Sequence, residues 1–359
     1  MSAKPQRSPR YANHLTPLIR NAWYVAARSS EIGSGLLART LLEQRVVLFR
    51  TTAGAPVALE DRCPHRSFPL SKSRLVGDQI VCGYHGLVYE ASGRCVHIPT
   101  APDAKPNLTV RAFPVAEQGP LVWIWLGEPD KADTDLIPSL PWLSDPAWAT
   151  VTGGFQIRTN YIAMHENLLD QTHFTFLHAG TVGTPEWASA PLAVFQSDAM
   201  VRLRRELKRS PPPGIYAQPM GVEGRLVDRV SEASFIGPAG HVAFATISNV
   251  EPPTQISDYR VNIVHLFTPE TQDSIHYWWF NSRDFALQDA GASEFLRSSS
   301  EKAYLEDVEA LEWISEAVHA SPDPREVSFR SDRPGLLMRQ KLLEMAMAEQ
   351  SPQPHEAMA

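Results

Sequence analysis

The tightest constraint on this chain lies in residues 63–85. Cys63-Pro64-His65 is followed, after sixteen residues, by Cys82-Gly83-Tyr84-His85, so each half supplies one thiol and one imidazole. Two chemistries use that donor set. In one, two thiolates hold one iron of a [2Fe–2S] cluster and two imidazoles hold the other, which raises the potential well above that of an all-cysteine cluster. In the other, the four donors close a tetrahedral zinc site. Ligand types alone leave both open. The surroundings favour iron. Pro64, Gly83 and Gly86 are turn residues that let two loop tips close over a cluster. The flanks Val57–Asp61 and Gln79–Val81 read as short strands.

A chain of 359 residues has room for two domains. Its formal net charge of −7 argues against a nucleic-acid partner. No run of about eighteen apolar residues is present, so no membrane span is predicted. Three cysteines are too few for a disulfide scaffold. The motif claims two, Cys95 is left as a free structural thiol, and a cytoplasmic location is expected. Met1–Arg20 carries Lys4, Arg7, Arg10 and Arg20 and no acid. Without a helical apolar face it reads as a disordered basic tail rather than a transit peptide. Residues 351–359 are expected to be a second disordered tail.

Between the tails the pattern changes once. Residues 21–127 form a run of short strand-like segments (Leu41–Arg50, Val57–Asp61, Gln79–Val81, Leu87–Tyr89, Leu121–Leu126) punctuated by turn residues, which predicts a small all-β domain with the cluster at its loop tips. Residues 128–148, rich in Asp, Pro and Trp, read as an irregular connector. In 149–350, a helix at Tyr161–Leu169 precedes strands at Ala199–Leu207, Gly240–Asn249, Arg260–Thr268 and Ser274–Asn281. Helices follow at about Ser293–Val318 and Leu336–Glu349. Strands bracketed by helices predict an α+β domain, a curved antiparallel sheet against a long helix. The proline-rich stretch Lys208–Gly214 is expected to shape an entrance to it.

Cys63-Pro64-His65-Arg66 and Cys82-Gly83-Tyr84-His85-Gly86 resemble the two cluster-binding loops of Rieske-type oxygenases. A second signature of that family is Asn or Asp, then Asp three residues on, His after three more and His after five. Asn167, Asp170, His173 and His178 match it. Asn21-Ala22-Trp23-Tyr24-Val25-Ala26, Asn167-Leu168-Leu169-Asp170 and Phe267-Thr268-Pro269-Glu270-Thr271 are similar to the vanillate and dicamba O-demethylase oxygenase components, over about Asn21 to Gln340.

The resemblance implies a helix-grip catalytic domain and a [2Fe–2S] Rieske cluster on Cys63, His65, Cys82 and His85. It further implies a mononuclear Fe(II) on His173, His178 and a carboxylate from elsewhere, a face that leaves positions open for dioxygen. A His-x₄-His pair alone is more often structural; the flanking Asn167 and Asp170 and the upstream motif reverse that. Five residues span about 140° of a regular helix, so the helix must end or bulge between the histidines. For the third ligand, Glu301, Glu306, Asp307, Glu309 and Glu312 compete. Asp307 shares a stripe with Tyr304, Leu311, Ile314 and Val318, whereas Glu309 shares a solvated face with Lys302, Glu312 and Glu316. A carboxylate on an apolar stripe needs a compensating partner, which a metal would be. The family's ligand aspartate likewise lies on a late helix, in a Glu-Asp context like Glu306-Asp307.

The expected activity is that of a terminal oxygenase, using O₂ to demethylate or hydroxylate an aromatic acid or ether. Asn167 and Asp170 are the expected catalytic residues. The chain has no glycine-rich dinucleotide loop, no flavin motif and one spare cysteine. Electrons from NAD(P)H therefore need a separate flavin- and ferredoxin-type reductase. Family members form ring-like homotrimers, in which Asp170 would bridge His85 of one chain and His173 of its neighbour. The rival readings are a Rieske electron carrier or a zinc-stabilised binding protein. A carrier needs only about 100 residues and no second iron, which the long stretch after residue 127 argues against.

Overall fold

The computed structural model describes residues 10–103, 107–198, 200–254, 256–321 and 326–350. Two compact units result. One comprises Arg20–Ser144 with Phe267–Thr271, and the other comprises the rest.

The first unit is all β apart from short 3₁₀ turns. Trp23–Arg28, Leu121–Trp125 and Val115–Gln118 form one three-stranded sheet. The first two of these are buried on both faces, so they read as continuous apolar runs without alternation, and the first was not recognised from sequence. The expected strand Leu41–Arg50 is broken. Leu37–Leu41 and Gln44–Arg50 pair through a two-residue turn at Leu42 and Glu43, both at positive φ, as tight hairpins favour. The N–H groups of these turn residues donate to Pro269 O and Glu270 O. Arg74–Val76, Gln79–Val81, Val88–Tyr89 and Cys95–His97 make the small sheet that carries the second cysteine loop. Its core gathers Phe49, Leu59, Leu70, Ile80 and Tyr89 around Cys63, Cys82 and Cys95. Of the expected irregular connector 128–148, residues 128–144 are grouped with this unit. They form three 3₁₀ turns, and Trp23 Nε1 donates to Asp133 O at 2.7 Å.

The second unit is built on a seven-stranded sheet, of which one strand end, Phe267–Thr271, is grouped with the first unit. From edge to edge its strands are Ala149–Ile157, Ser274–Arg283, Asp258–Thr271, Gly240–Glu251, Leu226–Phe235, Val201–Ser210 and Leu192–Gln196. Leu226–Phe235 escaped sequence reading because Asp228, Arg229 and Glu232 interrupt its apolar pattern. The proline-rich stretch is a strand as far as Ser210, followed by helix α2, Gly214–Met220. Helix α1, Tyr161–Leu169, is capped by Asn160 Oδ1, which accepts from Ile162 N. Helix α3, Ala290–Ala320, is capped by Asp289 and buries a stripe of Ala292, Leu296, Ser300, Ala303, Asp307 and Leu311. The stripe fades beyond Leu311, and Ile314, expected on it, is exposed. Burial of Leu296 and Leu311 contributes about 1.5–3 kcal/mol each. Asn281 ties this helix to the sheet, donating to Ser300 Oγ at 2.6 Å and accepting from Tyr304 OH at 3.0 Å.

Helix α4, Arg333–Gln350, corrects the expectation for the N-terminal tail. Its buried Arg339 donates to Ala12 O at 2.6 Å and pairs with Glu166 and Glu326, while Ala12 N donates back to Arg339 O. Ala12, Leu18 and Ile19 are buried, so residues 10–20 are packed. Residues 1–9 and the expected tail 351–359 lie outside the described residues. Among the described residues no helix is long and apolar enough to cross a membrane.

Candidate functional site

The two cysteine loops share one backbone design. Cys63 N donates to Phe68 O and Cys82 N to Leu87 O, while Ser67 N donates to Cys63 O and Gly86 N to Cys82 O. Ser67 and Gly86, at equivalent positions, both have positive φ, +55° and +73°. Each loop thus turns back within six residues with its cysteine at the root and its histidine at the tip. Cys63 and Cys82 are buried, whereas His65 and His85 are exposed with ring centroids 4.6 Å apart. The donors are sorted as a sulfur pair inside and a nitrogen pair outside. That arrangement suits a binuclear cluster with one iron on each pair. A single tetrahedral zinc needs all four donors around one point.

Tyr89, which sequence reading saw only as a strand residue, is fully buried with its hydroxyl 3.1 Å from Cys63 Sγ. Burial and the neighbouring thiol push the phenol well above its ordinary pKa, so it stays a donor. A hydrogen bond to a ligand sulfur is one of the protein's controls on cluster potential. No signal in the sequence distinguishes this tyrosine from a core residue.

In the second unit, helix α1 ends at Leu169 and Asp170 is extended, so Asp170 and His173 do not share a helix. His173 begins a 3₁₀ turn, and the chain continues to His178. The segment closes on itself where Gly183 N donates to His178 O at 2.9 Å. A Cβ on Gly183 would stand 1.8 Å from Phe174 O, backbone against backbone. Gly183→Ala is therefore expected to displace the histidine segment and weaken Fe(II) binding about tenfold or more. Iron titration of the purified variant checks this, and unchanged affinity would contradict it.

His173, His178 and Asp307 are brought together. One donor atom from each lies within 4.8 Å of the others, and among the described residues no other trio of His, Cys, Asp and Glu does so. Asp307 Oδ1 lies 3.1 Å from His178 Nε2 and 3.5 Å from His173 Nε2, and accepts from Asn167 Nδ2 at 2.9 Å. The far nitrogens face carboxylates as well. His178 Nδ1 is 2.7 Å from Glu306 Oε2, and His173 Nδ1 is 3.5 Å from Asp170 Oδ2. Carboxylate, imidazole, central point: this is how proteins fix the tautomer of a metal-binding histidine. Glu306 stands behind His178 rather than beside Asp307.

Burial pushes the Asp307 carboxyl up, but His178, His173 and Asn167 outweigh it and the net shift is downward. Burial also works to lower His178, and Asp307 and Glu306 overcome it, raising the imidazole. His173 Nε2 is buried without a hydrogen-bond partner. An orphaned imidazole nitrogen, a second beside it and a buried carboxylate form the donor set of a two-histidine, one-carboxylate ferrous site.

Both units match known families. Residues 22–114 match the Rieske [2Fe-2S] domain, and residues 157–348 match the vanillate O-demethylase oxygenase C-terminal domain. The chain belongs to the Rieske oxygenases. A dicamba O-demethylase oxygenase component from Stenotrophomonas maltophilia is 33% identical over 299 residues, 82% of this chain and 88% of that protein. A toluene-4-sulfonate monooxygenase system iron-sulfur subunit from Comamonas testosteroni is 34% identical over 324 residues, covering 88% and 93%. The crystal structure of dicamba monooxygenase bound to dicamba superposes with a TM-score of 0.86 at 30% identity, covering 94% of this chain and all of the other. This oxygenase is thus the oxygenase component of a multicomponent system that draws on a separate source of electrons, and the carrier and zinc-protein readings fall away. The expected fold class holds: an N-terminal Rieske domain followed by a catalytic domain with a large antiparallel sheet.

Proposed function

We propose that this oxygenase binds its [2Fe–2S] cluster through Cys63, His65, Cys82 and His85 and a mononuclear ferrous ion through His173, His178 and Asp307. The observation that carries the reading is the convergence of those last three donors, each imidazole backed by a carboxylate. When bound, the two groups supply single electrons and the open coordination positions at which dioxygen is reduced. The protein's own part is positional. Glu306 and Asp170 hold the two imidazoles with Nε2 directed at Asp307. Asn167 occupies Asp307 Oδ1 and so fixes the carboxylate's rotation.

The cavity beside the trio is lined by Phe174, Trp187, Tyr216 and Tyr304, which suits an aromatic ring. The reaction that fits is O-demethylation or hydroxylation of an aromatic acid or ether. For a methyl ether, Ar–O–CH₃, O₂, NADH and a proton give Ar–OH, formaldehyde, NAD⁺ and water. Two homologues carry O-demethylation and toluene-4-sulfonate oxidation in their names, which supports the substrate class. A reductase with flavin and a ferredoxin-type cluster would deliver the electrons. Oxygen uptake with a surrogate reductase, followed by product mass across methoxybenzoates and methylbenzenesulfonates, tests the activity.

We further propose a homotrimer in which Asp170 links His85 of one chain to His173 of the next. Asp170 keeps its side chain 35% exposed, and His85 is exposed on its loop. A surface groove is lined by Asp170, His173, Leu177 and Ile314, and Phe176 is 76% exposed. Asp170→Asn retains the shape and loses the charge. It is expected to keep both iron centres and the trimer, while cluster reoxidation in a single turnover with substrate and dioxygen slows about 10- to 100-fold. An unchanged rate would reduce Asp170 to an ordinary surface acid. We also propose a cytoplasmic location, on the buried Cys95 thiol left beside the two cluster cysteines.

A further inference from the structure

The cavity that holds the iron trio also holds a cation for which the mechanism above has no use. Arg229, on the strand Leu226–Phe235, is only 5% exposed and lines the same cavity as His173, His178 and Asp307. Among the described residues no carboxylate pairs with it. Its Nη1 donates to Thr184 Oγ1 at 2.9 Å and Pro211 O at 3.3 Å, and its guanidinium carbon sits 4.6 Å from the centre of the Trp187 ring. Nε and Nη2 have no protein acceptor among the described residues.

A buried, unpaired charge is costly and is kept where something compensates it. Burial lowers the guanidinium to about 10, against the weak pull of Tyr216 and Glu186, so it remains charged near neutrality. The buried histidines of the cavity outside the iron trio are different: burial lowers His265 to about 4 and holds His241 well below its ordinary value. Both are neutral there, so away from the iron trio Arg229 supplies the positive charge.

We propose that Arg229 is a specificity-determining residue, anchoring the carboxylate or sulfonate of an aromatic substrate whose oxidised group faces the iron trio. Ser231 shares its face of the strand, about 6.6 Å away. Its hydroxyl accepts from Gln171 Nε2 at 2.9 Å, so its own proton is free to donate. Two donors on adjacent same-face positions suit the two oxygens of one anionic group. Next to them, Ala233 and its cross-strand neighbour Ala243 are small, as is Ala245 opposite Ser231. The short side chains widen the cavity that Arg229 shares with the iron trio.

The anion assignment deepens the oxygenase reading and is tested without oxygen chemistry. Calorimetric titration of the purified protein with 3-methoxybenzoate, 4-methylbenzenesulfonate and the uncharged 3-methoxybenzamide gives three binding constants. At least one anion is expected to bind about 10-fold or more tightly than the amide. Arg229→Met is expected to lose about 10- to 100-fold of that anion's affinity with amide binding and iron content unchanged, and Arg229→Lys to restore part of it. A native protein without preference for either anion overturns the proposal, as does an Arg229→Met variant that binds the anions normally. Should that variant not fold, Ser231→Ala decides in its place. Selective loss of anion affinity supports the anchor, and equal loss for anion and amide overturns it. Oxygen uptake with a surrogate reductase reports separately on the oxygenase reading, which can fail or stand whichever way the binding falls.

Discussion

Cys63→Ser or Cys82→Ser is expected to abolish the red-brown cluster absorption and to destabilise the first unit. A serine hydroxyl stays protonated near neutrality and replaces a thiolate poorly at iron. Both sulfurs lie inside the core formed by Phe49, Leu59, Leu70, Ile80 and Tyr89, at the roots of two loops that the cluster would cross-link. Without it the loops keep their four backbone hydrogen bonds but lose the link between them. A cost on the order of several kcal/mol is expected, since metal binding is folding free energy where ligands are brought together by the fold. Visible absorption and thermal unfolding of the purified variants check this. Cluster absorption surviving in either variant would contradict the ligand assignment.

His173→Ala, His178→Ala and Asp307→Ala are expected to do the reverse: cluster spectrum intact, mononuclear iron gone, turnover lost. Each removes one of three donors from a site where, among the described residues, no fourth His, Cys, Asp or Glu joins them. Glu306→Gln separates a supporting role from a ligand's. It still accepts a hydrogen bond from His178 Nδ1 through its amide oxygen but loses the charge, so iron affinity falls about 10- to 100-fold while saturating Fe(II) recovers turnover. If Asp307→Ala kept full iron and activity while Glu306→Gln lost both, the carboxylate ligand would be Glu306. Iron content by elemental analysis, beside the visible spectrum, reads all four variants.

Some of this was open to reading from the sequence because chemistry constrains spacing more tightly than fold does. Cys-x-His with Cys-x-x-His admits few partners, and Asp307 could be singled out since an acid at that phase of an otherwise apolar helix face is expensive. The stripe itself was misplaced at its far end: Leu311 is its last buried residue, while Ile314 is half exposed. Helical phase identifies a face but does not say where the neighbouring sheet stops. The chain between the histidines was expected to break its helix, and it does so earlier, at Leu169, which places Asp170 in extended backbone. Glu306 was weighed as a ligand because sequence cannot show which side of an imidazole a neighbouring carboxylate meets. Arg229 was illegible for a different reason. On a strand reading Leu-Val-Asp-Arg-Val-Ser-Glu, it looks like one solvated charge among three, and only burial without an acid marks it out. Trp23–Arg28, buried on nearly every residue, has no alternation to detect and, with two alanines, is less rich in branched residues than its neighbour Leu121–Trp125, which was read.

Two kinds of iron in one chain are what every assignment above requires. Iron, zinc and acid-labile sulfide, quantified per chain on the purified protein alongside Asp307→Ala, test that most directly. About three irons and two sulfides per chain are expected, falling to about two and two in the variant, with the visible spectrum unchanged. Zinc in place of iron, or an iron-to-sulfide ratio that Asp307→Ala leaves unchanged, would contradict this.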